Sequence, residues 1–425
     1  MRSALAVAWL LPTGGLASVL GANQQVVLAP PIDSEPSTHD WWTENIAAFT
    51  SSAQDVIDSV TQAAAGTDTR LRNKVLSDLK YVSDKVNSHL FSTDKPETEE
   101  STIYELISNH PETSKFAEYV SKFSDVVDIL NSTDASNTLF IPTNEAFEHI
   151  LPHRHWPEEY IKEIIKYHIV PGEYRARKVL SAYTLPTLHN EQALGNEPQR
   201  LRPSVGFRGA KINFYSSLVK ADVKANNGVV HAVNRILVPP PVVGLILTAL
   251  PSHFSSLLLA YERTDFVKFV HGQKIAGSTM FAPSNRAFER LGPKANDFLF
   301  NNPEGRKYLS ALLKYQIVPN ITLYSDHTYD KRQTKGQLRM AEHNELTTLL
   351  DGASLGVDTA RFLGLIVIRV NGFIDVAVHD VVSKNGVIHQ VDRMPLPPRR
   401  KSKGFFATED EVSIDDLKER LDDYL

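Results

Sequence analysis

The sequence predicts an α+β fold built from two tandem copies of one module. Three blocks carry the prediction, because each occurs twice and in the same order: TLFIPTNEAF at 138–147 and TMFAPSNRAF at 279–288; YHIVPGEY at 167–174 and YQIVPNITLY at 315–324; NGVVHAVNRILVPP at 227–240 and NGVIHQVDRMPLPP at 385–398. Amphipathic helical patterns precede the first block in each copy. Strand-like segments punctuated by Gly, Pro and Asn separate the second block from the third.

Length and composition agree with a repeated module. A chain of 425 residues exceeds one ordinary core and suits two or three domains. Its formal net charge of −5 lacks the basic surplus of a general nucleic-acid binder. With no cysteine, neither a disulfide framework nor a thiolate metal site is available. Secretion stays open, since domains of this size build an adequate core without cross-links.

Taken in order, the chain starts with Arg2, an apolar run at 4–11, and small residues at Gly14, Gly15, Ala17, Ser18, Gly21 and Ala22. That is the layout of a secretory signal peptide over 1–22; the competing reading is simply an apolar N-terminus. No stretch supplies the roughly 20 apolar residues of a membrane span, so no integral span is expected. VVGLILTAL at 242–250 comes nearest, but Pro251 stops it and a buried helix is the better reading. Residues 23–100 combine a linker rich in Pro, Ser and Asp with a helical preamble. Trp42, Ile46 and Phe49, then Leu71, Val75 and Leu79, recur at helical spacing. The mixed charge signs on these helices favour packing or pairing over a membrane surface.

The first copy spans 101–240 and the second 241–398. In each, apolar β-formers run into Pro142 or Pro283, which ends the strand. Thr143 or Asn144, and Ser284 or Asn285, are then placed to cap the helix that carries Phe147 or Phe288. Asn227-Gly228 reads as a primed hairpin turn. In the strand after it, alternation sets His231 on one face with Val229 and Val233. A neutral imidazole at His231 or His389 would donate to a nearby carbonyl, a structural role favoured over ligand binding. Pro239-Pro240 and Pro397-Pro398 close the last strands.

The three blocks, present twice, resemble the fasciclin-like domain over residues 101–398. The resemblance implies a β-sandwich or wedge in each copy, with helices packed along one side. It also implies a non-enzymatic adhesion or matrix role at a cell surface, in a cell wall, or within the secretory and vacuolar system. Two copies behind a helical preamble look like the fungal members. In some relatives the position of Tyr167-His168 is linked to binding of adhesion receptors, which makes Tyr167 and His168 candidate binding residues. The second copy reads Tyr315-Gln316 there, so recognition through this pair would belong to the first copy alone. Packing of Tyr167 and Tyr315 as core aromatics is the competing reading, and the favoured one.

Elsewhere the signals for chemistry are weak. His153, Arg154 and His155 form a short run without further nearby ligands, which reads as an exposed loop, and no metal or cofactor is expected. No phosphate loop, nucleophile elbow or zinc helix occurs, and no catalytic residue is assigned. Asn131-Ser132-Thr133 and Asn320-Ile321-Thr322 are glycosylation sequons. The tail, 399–425, is basic at Arg399, Arg400, Lys401 and Lys403 and acidic afterwards; it reads as a solvated linker and tail helix, with dibasic processing or a nuclear signal as alternatives. The expected function is binding of a protein or glycan in the secretory pathway, at the surface or in the wall. The alternatives are a vacuolar-lumen structural protein and an enzyme with a site between the copies.

Overall fold

The computed structural model describes residues 101–149, 156–206, 209–330, 341–362, 365–399 and 412–425. The expected signal peptide and helical preamble, the 153–155 run, and Arg400, Lys401 and Lys403 lie outside the described residues.

Three helices open the first repeat: α1 (Ile103–Asn109), α2 (Ser114–Ser121) and α3 (Ser124–Asn131). Thr102 and Glu105 form a capping box at the start of α1. Ile103, Ile107, Phe116, Val120, Val126 and Leu130 recur at helical spacing and are buried together. Strand β1 (Asn137–Pro142) follows, then α4 (Glu158–Tyr167), β2 (Ile169–Pro171), α5 (Ala176–Ser181), β3 (Leu185–Glu191) and β4 (Glu197–Leu201). β5 (Pro203–Gly206), β6 (Gly209–Ile212), β7 (Ser216–Ala225) and β8 (Gly228–Val233) complete the repeat.

The main sheet has the order β2-β1-β8-β7-β6-β5, and β3 and β4 form a separate hairpin. β1 and β8 run parallel at its centre. The sheet is covered on both faces. Leu139, Ile141 and Val230 join the helical core, while Phe140 and Val233 join a second core with Tyr167, Leu201 and Ile212. Polar alternation is therefore absent from β8, as expected for a parallel-paired central strand.

The second repeat copies this order. α6 (Val243–Ala249), α7 (Pro251–Arg263) and α8 (Phe266–His271) lead into β9 (Ser278–Pro283), α9 (Asn285–Glu289), α10 (Pro293–Asn301) and α11 (Gly305–Tyr315). β10 (Ile317–Pro319), β11 (Ile321–Leu323), β12 (Thr328–Asp330), β13 (Ala341–Thr347), β14 (Ser354–Phe362), β15 (Leu365–Val370), β16 (Ile374–Ser383) and β17 (Gly386–Val391) follow. Its sheet, β10-β9-β17-β16-β15-β14-β13, again has a parallel pair at the centre, β9 with β17. The apolar 242–250 stretch is α6, with Ile246 and Leu247 buried. Both repeats are thus mixed modules with helices on a curled sheet, the fold class read from the sequence.

Three local expectations are corrected. First, the two-residue turn between β7 and β8 is Asn226-Asn227, because Ala225 pairs with Gly228. Gly228 is instead the first strand residue, at φ +150, where an added Cβ would lie 1.8 Å from the Asn137 carbonyl oxygen. The glycine is required by the close approach of β1. Second, Asn144 and Asn285 do not cap the helices that follow them. Asn144 Oδ1 accepts the Lys115 N–H of α2 at 3.0 Å, and Asn285 Oδ1 accepts the Ser256 N–H of α7 at 2.9 Å. Each asparagine caps a helix of the opening bundle across the fold. Phe254 has non-helical angles within α7, which divides that helix and leaves Ser256 needing such an acceptor. Ser284 at the α9 N-cap makes no capping bond and donates to Asp392.

The third correction concerns the tail. Its helix, α12 (Ile414–Leu421), is docked and not solvated: Leu417 and Leu421 are fully buried in the core of the second repeat. Asp416 receives both Arg399 and Arg420, and Lys418 pairs with Glu304. An amphipathic helix with only two leucines to bury gains its place through these ion pairs as well as through apolar area.

Candidate functional site

Tyr167 ends α4 and His168 follows it, where the chain turns from helix into β2. Both are fully buried. The Tyr167 hydroxyl donates to the Arg200 carbonyl at 2.9 Å and accepts from Asn213 Nδ2 at 2.8 Å. His168 Nε2 accepts the Leu237 N–H at 2.9 Å, which places the proton on Nδ1, and Nδ1 donates to the Ile164 carbonyl at 2.8 Å. Burial lowers the His168 pKa to about 4, so the ring is neutral. Neither side chain reaches the surface. The pair can affect a ligand only through the backbone it holds.

The other matched polar residues are also engaged internally. His231 accepts the Asp222 N–H at Nδ1 and donates from Nε2 to the Tyr174 carbonyl at 2.7 Å. His389 does the same with the Asp380 N–H and the Leu323 carbonyl, also at 2.7 Å. Burial lowers the pKa of both rings. Phe147 is half-buried and stacks on Tyr119, and Phe288 is buried beside Phe300. Asn131, at the end of α3, and Asn320, at φ +62 after β10, are both exposed.

A polar junction between the repeats corresponds to no local sequence pattern. The β3-β4 hairpin and the strand residues after it reach the second repeat. Gln199 Nε2 donates to the Ser383 carbonyl at 2.9 Å, and Arg202 Nε to the His379 carbonyl at 3.0 Å. Asp326 accepts the Thr184 N–H at 2.8 Å and stands 3.7 Å from Arg200, which donates to the Tyr329 hydroxyl at 3.1 Å. Burial pulls Arg202 down to about 10, partly offset by Asp380. Burial alone would raise the Asp380 carboxyl, but His379, His389 and the Ser325 hydroxyl hold it below the usual carboxylate range. Asp380 accepts the Ser325 N–H at 2.7 Å, and the Ser325 hydroxyl also donates to its carboxylate. Ser325 is buried, so its hydroxyl is closed to solvent. The partners that meet across the repeats lie more than a hundred residues apart in sequence, beyond the reach of any local motif.

One open surface feature stands out on the first repeat. Glu173, Arg175, Arg177, Lys178 and Ser181 line a shallow depression of about 420 Å³ on and just before α5. Among the described residues, no group of three or more His, Asp or Glu could hold a metal ion, and no helix is long and apolar enough to cross a membrane.

Comparison with known proteins adds to this geometry. A family model described as the fasciclin domain matches twice, over residues 111–239 and 252–397. The chain is 29% identical over 322 residues to aurofusarin biosynthesis cluster protein S of Gibberella zeae, covering 71% of this chain and 79% of that protein. It is 24% identical over 331 residues to a fasciclin-like arabinogalactan protein of Arthroderma benhamiae, covering 75% and 74%. Among solved structures, a FAS1 domain pair from the insect cell adhesion molecule fasciclin I aligns with 70% of this chain and 98% of that one, at 21% identity and a TM-score of 0.32.

Proposed function

Because the chain belongs to the fasciclin domain family, we propose that it is a non-enzymatic binding protein of the secretory pathway, cell surface or wall that engages a protein or glycan. The observation that carries this reading is the pair of fasciclin domain matches, which together span most of the described residues. The geometry supports it. The matched histidines are spent on backbone hydrogen bonds, and the junction joins the two repeats through buried polar contacts. Two modules held at a fixed spacing favour simultaneous engagement of a repeating or extended ligand.

Exposure of Asn131 and Asn320 supports passage through the secretory pathway, since a glycan on either would point into solvent. The test is an internally tagged chain. It should fractionate with the medium, the wall or an endomembrane lumen, shift on endoglycosidase treatment, and begin near residue 22 when its mature N-terminus is mapped. The purified protein should be retained on wall glycan or matrix protein. A cytosolic, unglycosylated product, or no retention on either material, would sink the reading.

The relative named for an aurofusarin biosynthesis cluster favours a second reading, in which the protein bound is a biosynthetic enzyme. Recovery of such an enzyme with the tagged chain, and no retention on wall material, separates the two. A vacuolar-lumen structural role predicts vacuolar fractionation instead.

A further inference from the structure

The same set of hydrogen bonds recurs around one turn of both repeats, and it leaves one face of the first repeat without the cover its counterpart has. Thr138 Oγ1 donates to the Gly172 carbonyl and accepts the Tyr174 N–H. Thr279 Oγ1 does the same with the Ile321 carbonyl and the Leu323 N–H. The Ala176 N–H reaches Asp222 at 2.7 Å, as the Ser325 N–H reaches Asp380 at 2.7 Å. These bonds fix the correspondence. Arg175 matches Tyr324, and Arg177 follows Ala176 as Asp326 follows Ser325; from there the repeats diverge, into α5 in the first and β12 in the second.

In the second repeat this segment is covered by the first. Asp326 is the acidic side of that contact, accepting from Thr184 beside the cation of Arg200. In the first repeat the same segment is uncovered, and Glu173, Arg175, Arg177 and Lys178 are exposed. Arg175 pairs with Glu173, and the Lys178 ammonium lies 3.9 Å from the centre of the Tyr174 ring. Three cations therefore outnumber the two nearby carboxylates, Glu173 and Asp222, on a chain whose net charge is −5. The polarity of the docking position is reversed, with a guanidinium where the covered repeat has a carboxylate.

We propose that this face, centred on Arg177, is the docking surface for an acidic polypeptide segment of a partner protein. The proposal rests on the binding reading above and adds the surface and the chemistry of the ligand. A polypeptide is the occupant because the matched face in the second repeat receives one, through a main-chain N–H as well as side chains. An acidic segment fits because guanidinium and carboxylate form paired, charge-assisted hydrogen bonds. The β3-β4 hairpin of a second copy is not the occupant, because that hairpin, with Arg200, is already buried against its own second repeat.

The experiment uses the full chain and a fluorescent peptide of Asp, Glu, Ser and Gly, with its Asn/Gln twin as control, read by anisotropy. The acidic peptide should bind, more weakly at higher ionic strength. Binding should fall about tenfold or more, roughly the loss of one charged hydrogen-bonded pair, in Arg177→Asp, with an unchanged thermal midpoint, and survive in Arg177→Lys. No binding, equal binding of the twin, or full binding by Arg177→Asp overturns the proposal. Preference for a polyuronate over the peptide overturns it in favour of a glycan. Binding that appears only when Glu97, Glu99 and Glu100 are changed to Gln overturns it in favour of the chain's own acidic stretch. Retention on wall or matrix material is measured separately, so loss of peptide binding alone leaves the broader function standing.

Discussion

His168 Nε2 accepts the backbone N–H of Leu237 at 2.9 Å, and the second repeat has lost both members of this pair together. By the aligned closing blocks, Leu237 corresponds to Pro395, which has no N–H to donate, and His168 corresponds to Gln316. Gln316 Nε2 sits instead 3.0 Å from the Met394 sulfur. The sequence contrast between Tyr-His and Tyr-Gln therefore has a packing cause. His168→Gln should destabilise the protein by about 1–3 kcal/mol, the cost of a buried donor without its acceptor. In a Leu237→Pro background the same change should cost much less, giving a coupling energy of about 1 kcal/mol or more by denaturant titration. Equal costs in both backgrounds would mean the hydrogen bond is not what holds the histidine. A loss of ligand binding in His168→Gln with no change in stability would return the pair to a recognition role.

Acid should weaken the fold through the same ring. The unfolded histidine, with a pKa of 6.5, binds protons that the folded ring refuses until about 4. Stability from this group is complete above 6.5 and falls as pH drops from 6.5 to about 4, by roughly 3 kcal/mol in all. His231 and His389, also lowered by burial, act with the same sign. Denaturation midpoints measured across this window should drop for the wild type, and His168→Gln should show a shallower dependence. Parallel curves for the two proteins would show that His168 does not titrate on unfolding.

The asparagines of the opening blocks test capping across the fold. Asn144→Ala removes the acceptor for Lys115 N–H and the donor to the Pro111 carbonyl, and Asn285→Ala does the same to Ser256 N–H and the Ser252 carbonyl. Each should cost about 1–2 kcal/mol, as for loss of an N-cap. The exchange of amide protons should quicken in α2 or α7 and not in the short helices that follow the asparagines. Faster exchange in those following helices would restore the local capping expected from the sequence.

Much of this was legible because it is local or repeated. The strand into Pro142, the apolar helix faces and the valine-flanked His231 follow from spacing and from the chemistry of single residues. What escaped depends on contacts that spacing does not encode. Asn144 was placed beside a helix start, and an asparagine before a helix is a good cap, but its amide reaches Lys115 on another helix. Leu417 and Leu421 gave α12 an apolar face, yet nothing in the tail names the groove it fills. Tyr167 and His168 were visible as a motif, whereas their burial depends on Arg200, Asn213 and Leu237 arriving from elsewhere in the repeat.

The junction offers the most direct link from these long-range contacts to function. Asp326 holds Thr184 and faces Arg200, whose guanidinium is buried between the repeats. Asp326→Ala removes an acceptor from Thr184 and leaves Arg200 without its nearest carboxylate, at a cost of about 2–3 kcal/mol, typical of hydrogen bonds to a charged group. Asp326→Asn keeps a carbonyl oxygen for Thr184 N–H and should lose less. Because Asp326 belongs to the junction and to no apolar cluster, its loss should loosen the contact between the repeats before unfolding either. Calorimetry of Asp326→Ala should then resolve two transitions, and X-ray scattering should report a wider spread of inter-repeat distances. Retention on wall or matrix material should fall with the fixed spacing if the two repeats bind together. Unchanged scattering and a single transition would mean that Gln199, Arg202 and the apolar cluster shared by the two repeats hold the junction without the Asp326 contact.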